Sequence, residues 1–102
     1  MDSLFKRQVL EIIRLIPRGR VTSYGAIAKA MGYPNHARQV GNALSSYDKT
    51  LPAHRVLNAS GRISLPSCVE RFTEKLESEG VKMKNGRVEN FREVFWDPQS
   101  EL

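Results

Sequence analysis

The stretch LPAHRV, residues 51–56, gathers the residue types of a reactive site. His54 can take or give a proton near neutral pH, and Arg55 can hold a carboxylate or phosphate in two parallel hydrogen bonds. Between Pro52 and His54, where a nucleophile could be served by that histidine, stands Ala53, whose methyl group does no chemistry. One sulfur nucleophile exists in the chain, Cys68, but it lies outside this stretch. No base stands beside it in sequence, so it reads as a small, inert, partly buried residue. A single cysteine forms neither an internal disulfide nor a structural zinc site, and His36 and His54 have no clustered carboxylates around them. No metal and no cofactor is expected.

These residues need a scaffold, and 102 residues with 40% hydrophobic content provide one small domain, 1–102, with a modest core. No run approaches the roughly 20 apolar residues of a membrane span, and MDSLFKRQVL has no apolar signal core. No membrane association is expected; a soluble, cytoplasmic protein is, nucleoid-associated or, in a eukaryote, nuclear. The net charge of +5 is unevenly spread: residues 1–62 carry +7 and residues 63–102 carry −2. That asymmetry fits either a polyanion-binding face in the first part or an ordinary basic surface with solvated charges.

Periodicity predicts a helix over 3–16, with Leu4, Phe5, Val9, Ile12, Ile13 and Ile16 on one stripe, ended by Pro17 and Gly19. A turn over 17–22 precedes a second helix at 24–31, capped by Thr22 or Ser23. Gly32 ends it, and Asn35 caps a third helix over about 36–46 with Val40, Ala43 and Leu44 inward. Two short helices joined by a Gly-containing turn, with Arg38 near the start of the second, make a helix-turn-helix pattern. Residues 51–57 read as extended, 58–61 as a turn and 62–65 as a return strand, together a small β-wing. A helix from Pro66 to about Ser78 follows, with Val69, Phe72, Thr73 and Leu76 on one face and Gly80 closing it. Asn85-Gly86 marks a hairpin, and Phe91, Val94, Phe95 and Trp96 can dock on the core. The fold class is α+β.

In order and spacing, GRVTSYGAIAKAMGYPNHARQVGNALS, LPAHRVLNASGRIS and LESEG resemble the DNA-binding domain of O6-alkylguanine-DNA alkyltransferases, from about Phe5 to Gly80. The resemblance implies a winged-helix-like domain of the alkyltransferase C-terminal type. In that family the Pro-x-His-Arg-Val segment carries a cysteine that takes the alkyl group from a flipped guanine; here the position is Ala53. Alkyl acceptance requires a thiolate or a comparably activated nucleophile. The chain therefore looks like the alkyltransferase-like proteins, which keep the recognition fold without the acceptor and often carry tryptophan there. The family's Gly-rich loop, which holds the base for transfer, is replaced by the shorter Ser64-Leu65-Pro66-Ser67. The terminal Phe95-Trp96-Asp97-Pro98 resembles the tail of alkyltransferase-like proteins.

By the same resemblance, Tyr24 presses the phosphate beside a lesion and Arg38 fills the gap left by the rotated base. Thr22, Ser23, Tyr24, Arg38 and Arg62 form the DNA contact, and Tyr24, Pro52, Ala53, Val56 and Ser60 the lesion pocket. His54 and Glu79 match the relay that would activate the missing cysteine. With nothing to activate, His54, Arg55 and Glu79 read as a structural remnant holding the pocket floor. Ser60 stands where some relatives carry a base-sensing arginine, a cation that Arg62 can supply instead.

The expected function is non-enzymatic: a monomer that binds duplex DNA at O6-alkylguanine, flips the lesion without alkyl transfer and directs it to nucleotide excision repair proteins. Two rivals stand beside it. A winged-helix regulator without a lesion pocket would prefer a base sequence, and an enzyme using Cys68 or His54 would become alkylated or turn over.

Overall fold

The computed structural model describes residues 3–44 and 50–101; positions 45 and 46 of the expected third helix lie outside them. The first helix, α1 (Ser3–Arg14), buries Phe5, Val9 and Ile13, with Ile16 following just past its end. Steps of three and four residues stack these side chains on one face. Leu4, expected on that stripe, is 58% exposed, because it falls on the far side of the helix from Val9 and Ile13.

The chain then runs through Thr22–Ser23 as a short strand, β1, into α2 (Tyr24–Ala30). Ser23 caps α2: its Oγ accepts from the Ala26 amide at 3.1 Å, satisfying one of the first-turn N–H groups that a helix leaves free. Gly32, at φ +86°, turns the chain toward α3 (Ala37–Leu44). This helix starts one residue later than expected. The Val40 amide bonds the His36 carbonyl at 3.0 Å, so His36 rather than Asn35 takes the capping position. Ile27 and Ala28 of α2 meet Val40, Ala43 and Leu44 of α3 in the core, giving the expected helix pair.

The expected wing is reduced to its turn: the Asn58 amide bonds the Arg62 carbonyl and the Gly61 amide the Asn58 carbonyl, both at 3.0 Å, without a strand over 62–65. Residues 53–55 are a single 3-10 turn, closed by the Arg55 amide on the Pro52 carbonyl at 3.0 Å. The next two residues are a strand, β2 (Val56–Leu57). β2 pairs in parallel with β1, Thr22 opposite Val56 and Ser23 opposite Leu57. Residues 61–63 turn instead to the second hairpin: the Ile63 amide bonds the Gly86 carbonyl and the Val88 amide bonds the Gly61 carbonyl, both at 2.9 Å. The reason is pairing of buried backbone. β1 and β2 are fully or nearly fully buried and satisfy each other's polar groups. Arg62 stays bonded to Asn58, and Gly61 and Ile63 take their partners from the second hairpin.

After a 3-10 turn at Pro66–Cys68, α4 (Val69–Ser78) buries Phe72 and Leu76. Strands β3 (Met83–Lys84) and β4 (Arg87–Val88) form the expected hairpin. Asn85 at φ +52° and Gly86 at φ +76° supply the two left-handed positions of a tight primed turn. The short helices α5 (Phe91–Val94) and α6 (Pro98–Glu101) complete the described chain. Trp96 is buried, and its amide bonds the Val21 carbonyl at 2.7 Å while the Val21 amide bonds the Val94 carbonyl at 2.9 Å. Arg20 clamps the same segment through the Val94 and Phe95 carbonyls. The aromatic end thus docks beside β1, and the architecture is α+β with two two-stranded sheets. No described helix is long and apolar enough to cross a membrane.

Candidate nucleic-acid interface and pocket

A cavity of about 620 Å³ opens between the helix pair and α4. Tyr24, Arg38 and Gly41 line one side, Ala53 closes the floor, and Ser64, Leu65, Cys68, Arg71 and Phe72 form the other wall. Each residue has a local cause for its place. Tyr24 is the first residue of α2, held by the Ser23 cap. Its hydroxyl lies 2.9 Å from Ser64 Oγ across the cavity mouth. Arg38 sits in the first turn of α3, exposed, with no ion-pair partner among the described residues. Ala53 is 4% exposed and lines the cavity.

Beneath Ala53 the chain builds a rigid floor. Adjacent residues of a strand point to opposite faces, so His54 and Arg55 could not both meet one carboxylate from an extended segment. The 3-10 turn brings them together on Glu79, which follows α4. His54 Nε2 is 2.7 Å from Glu79 Oε2; Arg55 Nε and Nη2 donate to Oε1 and Oε2 at 3.0 and 2.8 Å. The Gly19 amide donates to Oε1 at 3.2 Å, and Arg55 Nη1 to the Ile16 carbonyl at 2.8 Å. This cluster ties the α1–β1 turn, the 3-10 turn and the end of α4 into one unit.

Burial pushes the Glu79 carboxyl up. The bonds from Arg55, His54 and the Gly19 amide outweigh it, and the group ends lowered to about 2. Burial also lowers His54; Glu79 opposes this, while Arg55 and Lys75 add to it. The ring is therefore neutral at neutral pH. Because the carboxylate only accepts, Nε2 carries the proton. Such a histidine, committed to Glu79 and lining a separate cleft with Pro52 and Arg55, is a strut.

The residues expected to act on DNA separate into two groups. Tyr24 and Arg38 line the cavity and Arg62 is exposed. Thr22 is fully buried and Ser23 is 8% exposed, so both position α2 and neither presents a surface to DNA. Of the expected pocket residues, Tyr24 and Ala53 are brought together. Pro52 faces the cleft on the His54 side, and Val56 is 2% exposed because it is spent on pairing with Thr22. Ser60 lines a third cleft with Arg62. The wall from Ser64 to Phe72 was not anticipated. Cys68, Arg71 and Phe72 stand at helical spacing of three and four, which could have marked a second face of that segment. Arg71 Nη2 lies 3.4 Å from Cys68 Sγ, and its guanidinium lies 5.4 Å from the Phe72 ring centre. No cluster of three or more His, Cys, Asp or Glu suited to a metal occurs among the described residues.

A helix pair with an exposed arginine at the start of its second helix, beside a cavity roomy enough for a base and entered past a tyrosine, defines a nucleic-acid-binding domain built around a pocket. Residues 4–81 match the family model of the 6-O-methylguanine DNA methyltransferase DNA-binding domain, and the chain belongs to that family. It is 40% identical over 97 residues to a DNA base-flipping protein of Vibrio parahaemolyticus, covering 92% of this chain and 97% of that one. It is 34% identical to alkyltransferase-like protein 1 of Schizosaccharomyces pombe, covering 96% and 98%. The fold superposes on the crystal structure of S. pombe Atl1 in complex with damaged DNA containing O6-carboxymethylguanine, with a TM-score of 0.84, 33% identity and coverage of 94% and 97%.

Proposed function

We propose that this protein recognises O6-alkylated guanine in duplex DNA by rotating the modified nucleotide into the cavity, and transfers nothing. The observation that carries the reading is Ala53. The residue at the acceptor position of the family's Pro-x-His-Arg-Val segment lies on the cavity floor and offers only a methyl group. A flipped base whose O6 substituent points there meets space and apolar surface, and no bond can form. Tyr24 guards the entrance and Arg38 is free to enter the stack. Unstacking costs a few kcal/mol. Stacking of a planar side chain on the exposed neighbours contributes about 1–3 kcal/mol, and neutralised phosphates supply the remainder. The names of the relatives, a base-flipping protein and an alkyltransferase-like protein, support the same reading.

On this reading the output is a marked lesion, handed by a monomer to nucleotide excision repair proteins wherever the DNA resides, in the cytoplasmic nucleoid or the nucleus. The test is optical. 2-Aminopurine is placed next to O6-methylguanine in a short duplex, and its fluorescence should rise when the neighbouring base leaves the stack on binding. An equal duplex with guanine should respond weakly, and Arg38→Ala should respond less than the parent. Binding without any rise on the lesion duplex overturns the flipping reading.

One observation favours a second reading. Cys68 places a sulfur in the cavity wall. Its neighbours within reach are the Ser67 hydroxyl at 4.0 Å and the Arg71 guanidinium, neither of which is a general base. Alkylation of Cys68 would appear as added mass on the protein.

A further inference from the structure

We propose that Arg62 and Arg87 form a clamp on the backbone phosphates of the DNA strand flanking the pocket, making the β3–β4 hairpin part of the DNA interface. This rests on the DNA-binding reading above and extends it to a residue and an element outside the helix pair and pocket.

The two arginines face one another directly across an isolated antiparallel bridge. Like charges opposite each other on paired strands are destabilising. A carboxylate between them would remove that cost, yet the ion pairs of the described residues are Arg20–Glu101 and Arg55–Glu79. Each guanidinium is instead steered by a backbone carbonyl of the opposite segment. Arg62 Nη1 donates to the Asn85 carbonyl and Arg87 Nε to the Ser60 carbonyl, both at 3.1 Å. These bonds fix the direction of both groups and leave both charges without a carboxylate partner among the described residues. Each oriented, exposed guanidinium keeps N–H donors that suit the oxygens of a phosphate, one toward each end of the bridge.

The surroundings agree. The pair lines a cleft of about 720 Å³ that also holds Lys84 and Arg92. Glu89 and Glu93 lie on the same cleft, beyond ion-pair distance of either arginine. The cleft adjoins the cavity: Ser64, bonded to Tyr24 at the cavity mouth, is two residues from Arg62, a backbone reach of at most about 7 Å. At about 3.4 Å of axial rise per nucleotide in one strand, a strand whose base enters the cavity passes this cleft within a few nucleotides.

The experiment measures the salt dependence of binding to a lesion duplex and to its guanine twin, using the full chain and the variants Arg62→Gln, Arg87→Gln and the double variant. Glutamine removes the charge and keeps a donor for the facing carbonyl, and thermal melts confirm folding. Melting at low salt should be unchanged or raised, since one of two facing cations is gone. The plot of log affinity against log salt should lose about 0.9 of slope per phosphate contact; we expect that loss in the variants, with the lesion-to-guanine ratio kept. Arg87→Lys, which keeps the charge, should restore most of the slope. A double variant with the parent's slope overturns the clamp and leaves the cleft for another anion, such as an acidic protein segment. If the parent itself fails to prefer the lesion, the flipping reading falls, while the slopes still decide the clamp.

Discussion

Replacing Glu79 by glutamine tests whether the floor of the cavity is held by charge. The fall of this carboxyl from an ordinary 4.5 to about 2 corresponds to about 3 kcal/mol in favour of the ionised, folded form, at about 1.4 kcal/mol per pH unit. The same size follows from the contacts. Arg55 and Glu79 side chains are 15% and 6% exposed, and breaking a pair so buried by removing one partner costs about 3–5 kcal/mol. The sign follows from the direction of the shift. A carboxyl lowered by folding contributes fully above its unfolded value of 4.5 and loses that contribution as pH falls toward about 2. Urea unfolding is followed by circular dichroism with and without Glu79→Gln, both chains carrying His54→Asn. The histidine's own titration, shifted by the same carboxylate, then drops out of the difference. With the bond from His54 absent from both chains, the gap should be no more than about 3 kcal/mol near neutral pH and should shrink, by up to about 2 kcal/mol, at about pH 3. A gap that stays constant with pH would show that Glu79 contributes as a neutral hydrogen-bonding group, and the electrostatic account of the floor would be wrong.

Other perturbations follow from single contacts. Arg38→Ala removes an exposed side chain without an ion-pair partner among the described residues, so it should leave the melting temperature within the range of a surface change, about 0.5 kcal/mol, while lowering lesion-duplex affinity in a fluorescence titration by roughly fivefold to a hundredfold, in line with about 1–3 kcal/mol for lost stacking. Tyr24→Phe removes the bond to Ser64 Oγ at 2.9 Å; it should cost about 1 kcal/mol or less in thermal unfolding. Gly61→Ala meets both a φ of +81° and a Cβ placed 3.0 Å from Phe91 Cγ, so it should destabilise by more than about 1 kcal/mol in a urea titration. Trp96→Ala empties a site 3% exposed beside β1 and should cost about 3–5 kcal/mol.

Where local rules operate, the structure was legible in the chain. Phe5, Val9, Ile13 and Ile16 announce α1 by spacing, Ser23 announces the start of α2, and Asn85-Gly86 announces the hairpin. The pairing of β2 was not legible, because a two-residue strand has too short a pattern to name its partner, and its neighbour in space, Thr22, is 34 positions away. The apolar run from Leu51 to Leu57 looked extended. Its burial is real, but it serves a 3-10 turn that aims His54 and Arg55 at the same carboxylate. At the candidate site, Tyr24, Arg38 and Ala53, singled out by the motifs that contain them, line one cavity. Thr22 and Val56 sit in the same motifs and proved to be buried partners of one another, since proximity in a motif does not separate a contact surface from its support. Cys68, Arg71 and Phe72 escaped because nothing in their sequence says that α4 closes the cavity; only the packed fold brings that wall opposite Ala53.

The central claim is that the cavity senses an O6-alkyl group and leaves it in place. The most direct measurement pairs two duplexes of identical sequence, one with O6-methylguanine and one with guanine, titrated at physiological salt, followed by the intact mass of the protein from each mixture. The account predicts tighter binding of the lesion, by roughly tenfold or more for a contact difference above about 1.4 kcal/mol, with no change in mass. Equal affinities would contradict recognition, and a methyl group gained by the protein would contradict the absence of transfer.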